Sequence, residues 1–520
     1  MLVNVNAAKC IGINAVKVTV EVDIVPGIGI HLVGLADIAV KESLLRTITA
    51  LQALGFHIPG RKIVINLAPA DLHKSGSGYD VPIAVGIIVA SGQRELPLAG
   101  DYLIMGELGL DGSIRSIPGA LPIADYAISE GLKGCILPLS SAMEAVEFRD
   151  TEIYGVSSLM QVLDILSGSV DCEEMLVWNT EEYRRGIASS ECGSASFPAM
   201  DFSEIIGQEG AKRGAEIAAA GGHNLILVGP PGAGKSSLAK AVSCILPPMT
   251  PEESVVTSKI YSISGLGGSH PGLIRTRPFR SPHYSASLPA IIGGGAGDNI
   301  LPGEVTLSNS GVLFLDEFGQ MPKSIVEALR GPLEDRKVVI SRLRCKVEYP
   351  SSFMLVAASN PCPCGYYGEG DRCTCTPARR ASYLARLSGP ILDRIDLHVW
   401  MHPLTAPQMI AARKGESSAA VAERVRKARD IQKDRFAGAA ISTNAEMSNR
   451  EIEKHCSLSP QCLETLERLL SRLQLSMRSY GRILKVARTI ADLEGSANIQ
   501  SPHLLEAASY RFLDKADLTL

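Results

Sequence analysis

The chain has 520 residues, of which 46% are hydrophobic and 20% charged, and a formal net charge of −4. This length exceeds a single hydrophobic core, pointing to about two to four domains, and the composition excludes a disordered chain. The charge excludes a uniformly basic nucleic-acid binder, and no apolar run approaches the roughly 20 residues that span a bilayer.

The opening MLVNVNAAKCIGINAVKVTVEVDIV alternates like a strand and lacks the parts of a secretory signal. A cytoplasmic protein with reduced thiols and no membrane partner is therefore expected. Residues 1–170 alternate strand-like runs (KVTVEVDIV, KIVINLAP, GCILPL) with helical ones (DIAVKESLLRTITALQALG, YDVPIAVGIIVASG), which reads as an α/β domain with its own core. Residues 171–201 are acidic, irregular and rich in turn formers, and are expected to be a linker. A second α/β block over 202–402 carries the buried-strand runs NLILVG, GVLFLDE and SFMLVAASN of a mostly parallel sheet. Residues 403–520 have helical period, with four candidate helices forming a lid.

LILVGPPGAGKSS joins an apolar strand to G-x-x-x-x-G-K-S and then a helix. In this phosphate loop, Gly229, Pro230, Pro231, Gly232, Ala233, Gly234, Lys235, Ser236 and Ser237 wrap phosphate oxygens with backbone N–H groups. Lys235 adds charge at the β/γ positions and Ser236 can ligate Mg²⁺. Ile206 and Gly207 are counted with the nucleotide-contacting residues. GVLFLDE ends in adjacent carboxylates, with Asp316 suited to hold Mg²⁺ and Glu317 to polarise the attacking water. SFMLVAASN ends in Asn360, which can orient that water. Arg394 stands between two aspartates in LDRID, and Arg478 and Arg482 open a later helix. Each of these elements alone has an ordinary structural reading, and their order along the chain favours an ATPase.

That order resembles the AAA+ ATPases of the magnesium-chelatase branch. HPG, RPFRSPHYSAS, LPGEVTLSNSGVLFLDE, NPCPCGYYG, LSGPILDRIDLHV and RSYGRILKVARTIADL resemble, more closely, the YifB/ComM group, over nearly the whole chain. The resemblance implies ATP and Mg²⁺ as cofactors and a homo-oligomeric ring, expected as a hexamer. It implies Arg394 as a finger reaching a neighbour's ATP, Arg478 as a lid sensor, and a DNA motor that drives branch migration in DNA uptake. The first domain is similar to the Lon-protease fold. With Gly78 near the nucleophile position and Leu121 near the lysine position, and Lys74 merely adjacent to Ser75 and Ser77, a dead protease is expected.

Two insertions carry candidate DNA contacts. RTRPFRSPHYSASLPAIIGGG sets Arg275, Arg277, Arg280 and His283 beside Phe279 and Tyr284, and RKVVISRLRCKVEYP reads as a hairpin with Arg342, Arg344 and Lys346. Single-stranded or branched DNA is the expected partner. A solvated loop and a sheet extension are the alternatives.

Cys362, Cys364, Cys373 and Cys375 follow as C-x-C-x₈-C-x-C within residues 360–378. Two close thiolate pairs suit a tetrahedral soft-ligand ion, Zn²⁺ first, whereas disulfides conflict with the expected compartment. An Fe–S cluster is allowed by the ligands alone. Two further functions stay open: a chelatase-like ATPase that remodels a protein partner, and a Lon-like protease. Stimulation of ATP hydrolysis by DNA, by a chelatase partner, or accompanying protein degradation separates the three.

Overall fold

The computed structural model describes residues 2–35, 37–168, 171–185, 200–267, 272–295, 300–342, 346–368, 372–384, 389–403, 415–473 and 477–514. The first domain is built on a mixed seven-stranded sheet. Its strand order is Ile30–Val33, Lys62–Ala68, Asn14–Val25, Val3–Ile11, Tyr102–Ile104, Gly134–Pro138 and Glu152–Val156. The long Val3–Ile11 and Asn14–Val25 strands form an antiparallel hairpin, and the last three strands run parallel. Helix Asp80–Ala90 is apolar on every side, so it lies buried between the sheet and helix Ile38–Ala53.

Residues 171–185 correct the linker expectation. Cys172 and Val177 are buried in the first domain's core, and Met175, Trp178 and Tyr183 pack against it. These five apolar groups in an otherwise acidic stretch give the segment a reason to dock.

In the second block five short strands lie parallel in the order Phe279–Arg280, Val312–Leu315, Met354–Ser359, Leu225–Val228 and Leu397–Trp400. The four longer strands are almost wholly buried, as expected of a parallel sheet covered on both faces. Their side chains alternate between two cores. Leu225, Leu227, Phe314, Val356 and Val399 face one, and Ile226, Val228, Leu313, Leu355 and Ala357 the other. This layout fits an AAA+ ATPase-like fold.

The carboxy-terminal helices are Ser418–Arg435, Asn449–His455, Pro460–Leu473, Met477–Leu493 and Ser501–Ser509. The expected four omitted Asn449–His455, although its Ser448/Glu451 capping box is present in the sequence. Val421, Val425, Ile483, Val486 and Leu504 share one continuous core with Leu225, Leu238 and Phe314 of the sheet unit. The expected helical lid packs as a layer on one face of the sheet, where its apolar stripe is matched by helices Glu209–Gly221 and Lys235–Ile245. No helix among the described residues is long and apolar enough to cross a membrane.

The two α/β units touch through helix Pro251–Ile263 and the hairpin Lys337–Ser341/Lys346–Pro350. Gly119 N–H donates to the Ser262 carbonyl at 3.0 Å, and Lys259 pairs with Asp125 at 2.7 Å. A cavity of about 870 Å³ lies between the units, lined by Lys9, Ser77 and Gly78 on one side and Lys346, Val347 and Tyr349 on the other. Glu144 is buried at this interface, and burial pushes its carboxyl up to about 7, only partly offset by Ser262 and the Leu121 N–H. A raised folded value means that stability is fullest below the unfolded carboxyl value of about 4.3 and declines until pH passes the folded value. Glu144→Gln is therefore expected to raise the melting temperature at pH 8 and to leave it unchanged at pH 4, read by thermal scans at both pH values.

Candidate functional site

The phosphate loop leaves the strand Leu225–Val228 at the carboxyl end of the sheet, where Asp316 and Asn360 leave the neighbouring strands. Gly234 adopts φ 88°, a left-handed turn that costs glycine nothing, and caps helix Lys235–Ile245. Lys235 is buried and donates from Nζ to the Gly229 carbonyl at 2.7 Å, the Pro230 carbonyl at 2.9 Å and Asn360 Oδ1 at 3.1 Å. Burial lowers its pKa, against the pull of Asp316 and Glu317. Ser236 Oγ donates to Asp316 Oδ2 at 2.9 Å. The hydroxyl and carboxylate that would share Mg²⁺ are therefore adjacent, an all-oxygen pair suited to a hard cation.

Glu317 has φ 49°, and its N–H donates to Asp316 Oδ1 at 2.8 Å. A left-handed glutamate costs about 1–2 kcal/mol, and strain of this kind collects at functional sites. The sequence reading missed Gln208, whose Nε2 donates to the His402 carbonyl at 2.5 Å and the Ala233 carbonyl at 3.4 Å. It joins the phosphate loop to the segment of Ile206 and Gly207, and its own φ of 59° beside a glycine has no signature in the sequence.

Arg394 and Arg478 are not brought to this cluster. Arg394 precedes Leu397, the residue level with Leu225 at the amino end of the phosphate-loop strand, so it sits at the opposite end of the sheet. There it pairs with Glu334 and donates from Nη1 to the Pro390 carbonyl at 2.8 Å. Arg478 lies in the first turn of helix Met477–Leu493, one turn before Arg482, which pairs with the buried Asp396 at that same end.

Most of the basic cluster over 275–283 is structural, correcting the expectation of DNA contact. Arg277 pairs with Glu253 at 2.8 Å and donates to the carbonyls of Pro247, Pro248 and Ser310. Arg280 grips Glu304 through two bonds of 2.6 and 2.7 Å. Both guanidiniums are spent on their own chain. Arg275 is exposed and bridges to Glu147 of the first domain at 2.7 Å. Arg342 and Lys346 are exposed on the hairpin, and Arg344 lies outside the described residues.

The Lon-like Lys74 and Ser77 are engaged with other partners. Lys74 is buried and donates to the Pro69 carbonyl, while Ser77 donates to Glu107. Leu121 is buried in helix Ala120–Ser129.

The four loop cysteines converge, with all four sulfurs within 4.8 Å of one another. Cys362 lies 3.3 Å from Cys364 and 3.8 Å from Cys373, and Cys364 lies 3.7 Å from Cys373. A tetrahedral ion with metal–sulfur bonds of about 2.3 Å places its sulfurs about 3.8 Å apart, so the cradle fits. The Tyr366 N–H lowers the Cys364 thiol to about 6. Tyr366 and Tyr367 on this loop are capped by Arg372 and Arg380 at 4.4 and 4.3 Å.

Three family models match in sequence: subunit ChlI of Mg-chelatase over 20–141, magnesium chelatase subunit ChlI over 201–409, and its C-terminal part over 415–511. An uncharacterized protein YifB of Salmonella typhimurium is 42% identical over 514 residues, covering 98% of this chain and 97% of the relative. Competence protein ComM of Haemophilus influenzae is 40% identical over 502 residues, covering 96% and 95%. The chain belongs to the YifB/ComM family of Mg-chelatase-like proteins. A shorter likeness, 28% over 125 residues, joins it to Lon protease 2 of Bacillus subtilis, covering 24% of this chain and 22% of the other. That likeness is partial.

Proposed function

We propose that the chain is an ATP-hydrolysing AAA+ motor that acts on DNA as a ring, expected to be a hexamer, and drives branch migration during DNA uptake and recombination. The observation that carries the ATPase is the meeting of Lys235, Ser236, Asp316 and Asn360 at the ends of three adjacent strands. Phosphate oxygens replace the two loop carbonyls and Asn360 as partners of Lys235. Glu317 holds the attacking water and takes its proton as the new oxygen–phosphorus bond forms and the β–γ bridge breaks, releasing ADP and phosphate. Ser236 and Asp316 would hold Mg²⁺, which would supply charge neutralisation for the phosphates. A neighbour supplies Arg394, freed from Glu334, and Arg478.

The loop cysteines hold Zn²⁺ as a structural ion, since reduced thiols in this spacing favour it over Mg²⁺ or Ca²⁺. DNA is favoured by the competence-named relative and by exposed Arg342 and Lys346 on one hairpin. The chelatase-type family models favour a second reading, remodelling of a protein partner.

The test is the steady-state ATPase rate without DNA, with single-stranded DNA and with a four-way junction. Stimulation by either DNA is expected. Arg342→Ala with Lys346→Ala is expected to flatten the salt dependence of DNA binding by about two phosphate contacts. A rate indifferent to every DNA overturns the motor and leaves the remodelling ATPase.

A further inference from the structure

We infer that the four-cysteine loop is a metal site that positions the phosphate loop, so that metal ligation and nucleotide binding are coupled. This rests on the metal reading above and goes beyond a structural staple.

The coupling begins in the chain itself. Ser359 accepts a hydrogen bond from Gly229 N–H at 3.2 Å, Asn360 accepts from Lys235 at 3.1 Å, and Cys362, fully buried, is two residues further on. A shift of the first ligand is therefore passed to both phosphate-loop partners within three residues.

The loop then turns back onto the phosphate loop. Gly365 has φ 88°, and its N–H donates to the Cys362 carbonyl at 3.0 Å. A Cβ built on Gly365 would lie 2.8 Å from Cδ and 3.0 Å from Cγ of Pro231. The metal loop's backbone is thus in contact with the second proline of GPPGAGKS. A Cβ on Gly368 would meet Trp400 at 3.5 Å, and Trp400 is level with Val228 on the adjacent strand.

The far end of the loop returns to the same place. Arg380 donates to the Cys375 carbonyl at 3.2 Å, and Tyr383, on the same helix Pro377–Leu384, meets Ser359 Oγ at 3.4 Å. Cys362 and Cys375 are therefore both anchored beside the Ser359–Asn360 strand end, and a tetrahedral ion would tie the four cysteines into one unit. Ligand binding that supplies folding energy to this loop also fixes the seat of Pro231.

The experiment uses the full chain loaded with Co²⁺ in place of its native metal. The Co²⁺–thiolate absorption bands are recorded before and after addition of ADP, alongside the affinity for a fluorescent ATP analogue. The bands are expected to shift with nucleotide. Gly365→Ala is expected to keep full metal content and the four-thiolate spectrum, yet to bind the analogue about tenfold more weakly. Gly55→Ala, at φ 86° and with nothing within 4 Å of an added Cβ, introduces the same backbone strain away from the site and is expected to bind normally. Failure of the full-length reduced protein to take up stoichiometric Zn²⁺ or Co²⁺ overturns the metal reading and the coupling together. A four-thiolate spectrum that ignores ADP, with wild-type nucleotide affinity in Gly365→Ala, overturns the coupling alone.

Discussion

Glu317→Gln is expected to lower the ATPase turnover about 10²–10⁴-fold while leaving ATP affinity close to wild type. Glutamine keeps the size and the hydrogen-bonding reach of the side chain but cannot take a proton. The bonds of Lys235 and Ser236 do not involve the Glu317 side chain, so the phosphate-binding half of the site survives. The left-handed backbone at 317 adds a second readout. Glu317→Gly removes about 1–2 kcal/mol of strain, so it should stabilise the fold while abolishing turnover. Single-turnover hydrolysis, equilibrium binding of the ATP analogue and a thermal melt check the three parts. A glycine variant that both hydrolyses ATP and melts lower would deny Glu317 the role of base and the strain alike.

Asp396→Ala is expected to destabilise the sheet unit by about 3–5 kcal/mol, because it breaks a buried charge network. Asp396 is 3% exposed and accepts from Asn224 N–H at 3.1 Å, with Arg482 and His223 on its other sides. Burial alone would push this carboxyl up, but the charge of Arg482 and the His223 contact outweigh it and hold it well below the ordinary carboxylate range. Burial lowers the pKa of His223, against the pull of Asp396. A depressed folded value gives stability that is present above the unfolded carboxylate value of about 3.9 and lost as pH falls below it. The gap between wild type and variant should therefore stay constant from pH 5 to 8 and narrow only in stronger acid. Denaturant melts across that range measure it.

The parts of the site that were legible in the sequence are those written in contiguous residues. The phosphate loop, the strand ending in Asp316 and Glu317, and the strand ending in Asn360 each carry their apolar run and their polar end together. The cysteine cradle was legible for the same reason. What the sequence hid was pairing at a distance. Arg277 and Arg280 read as free cations until Glu253 and Glu304, each 24 residues away in the chain, are seen to hold them. Arg394 read as an outward-reaching finger, yet Glu334, 60 residues earlier, holds it. The segment 171–185 was hidden by composition, since its few apolar groups are diluted by acids that face water.

The apolar core runs from the sheet into the carboxy-terminal helices, where Val421, Val425 and Ile483 join Leu225 and Leu238. Bending there would tear close-packed side chains apart, and such interiors deform little. A change at the phosphate loop would therefore reach those helices as a shift of the whole packed unit rather than by bending within it.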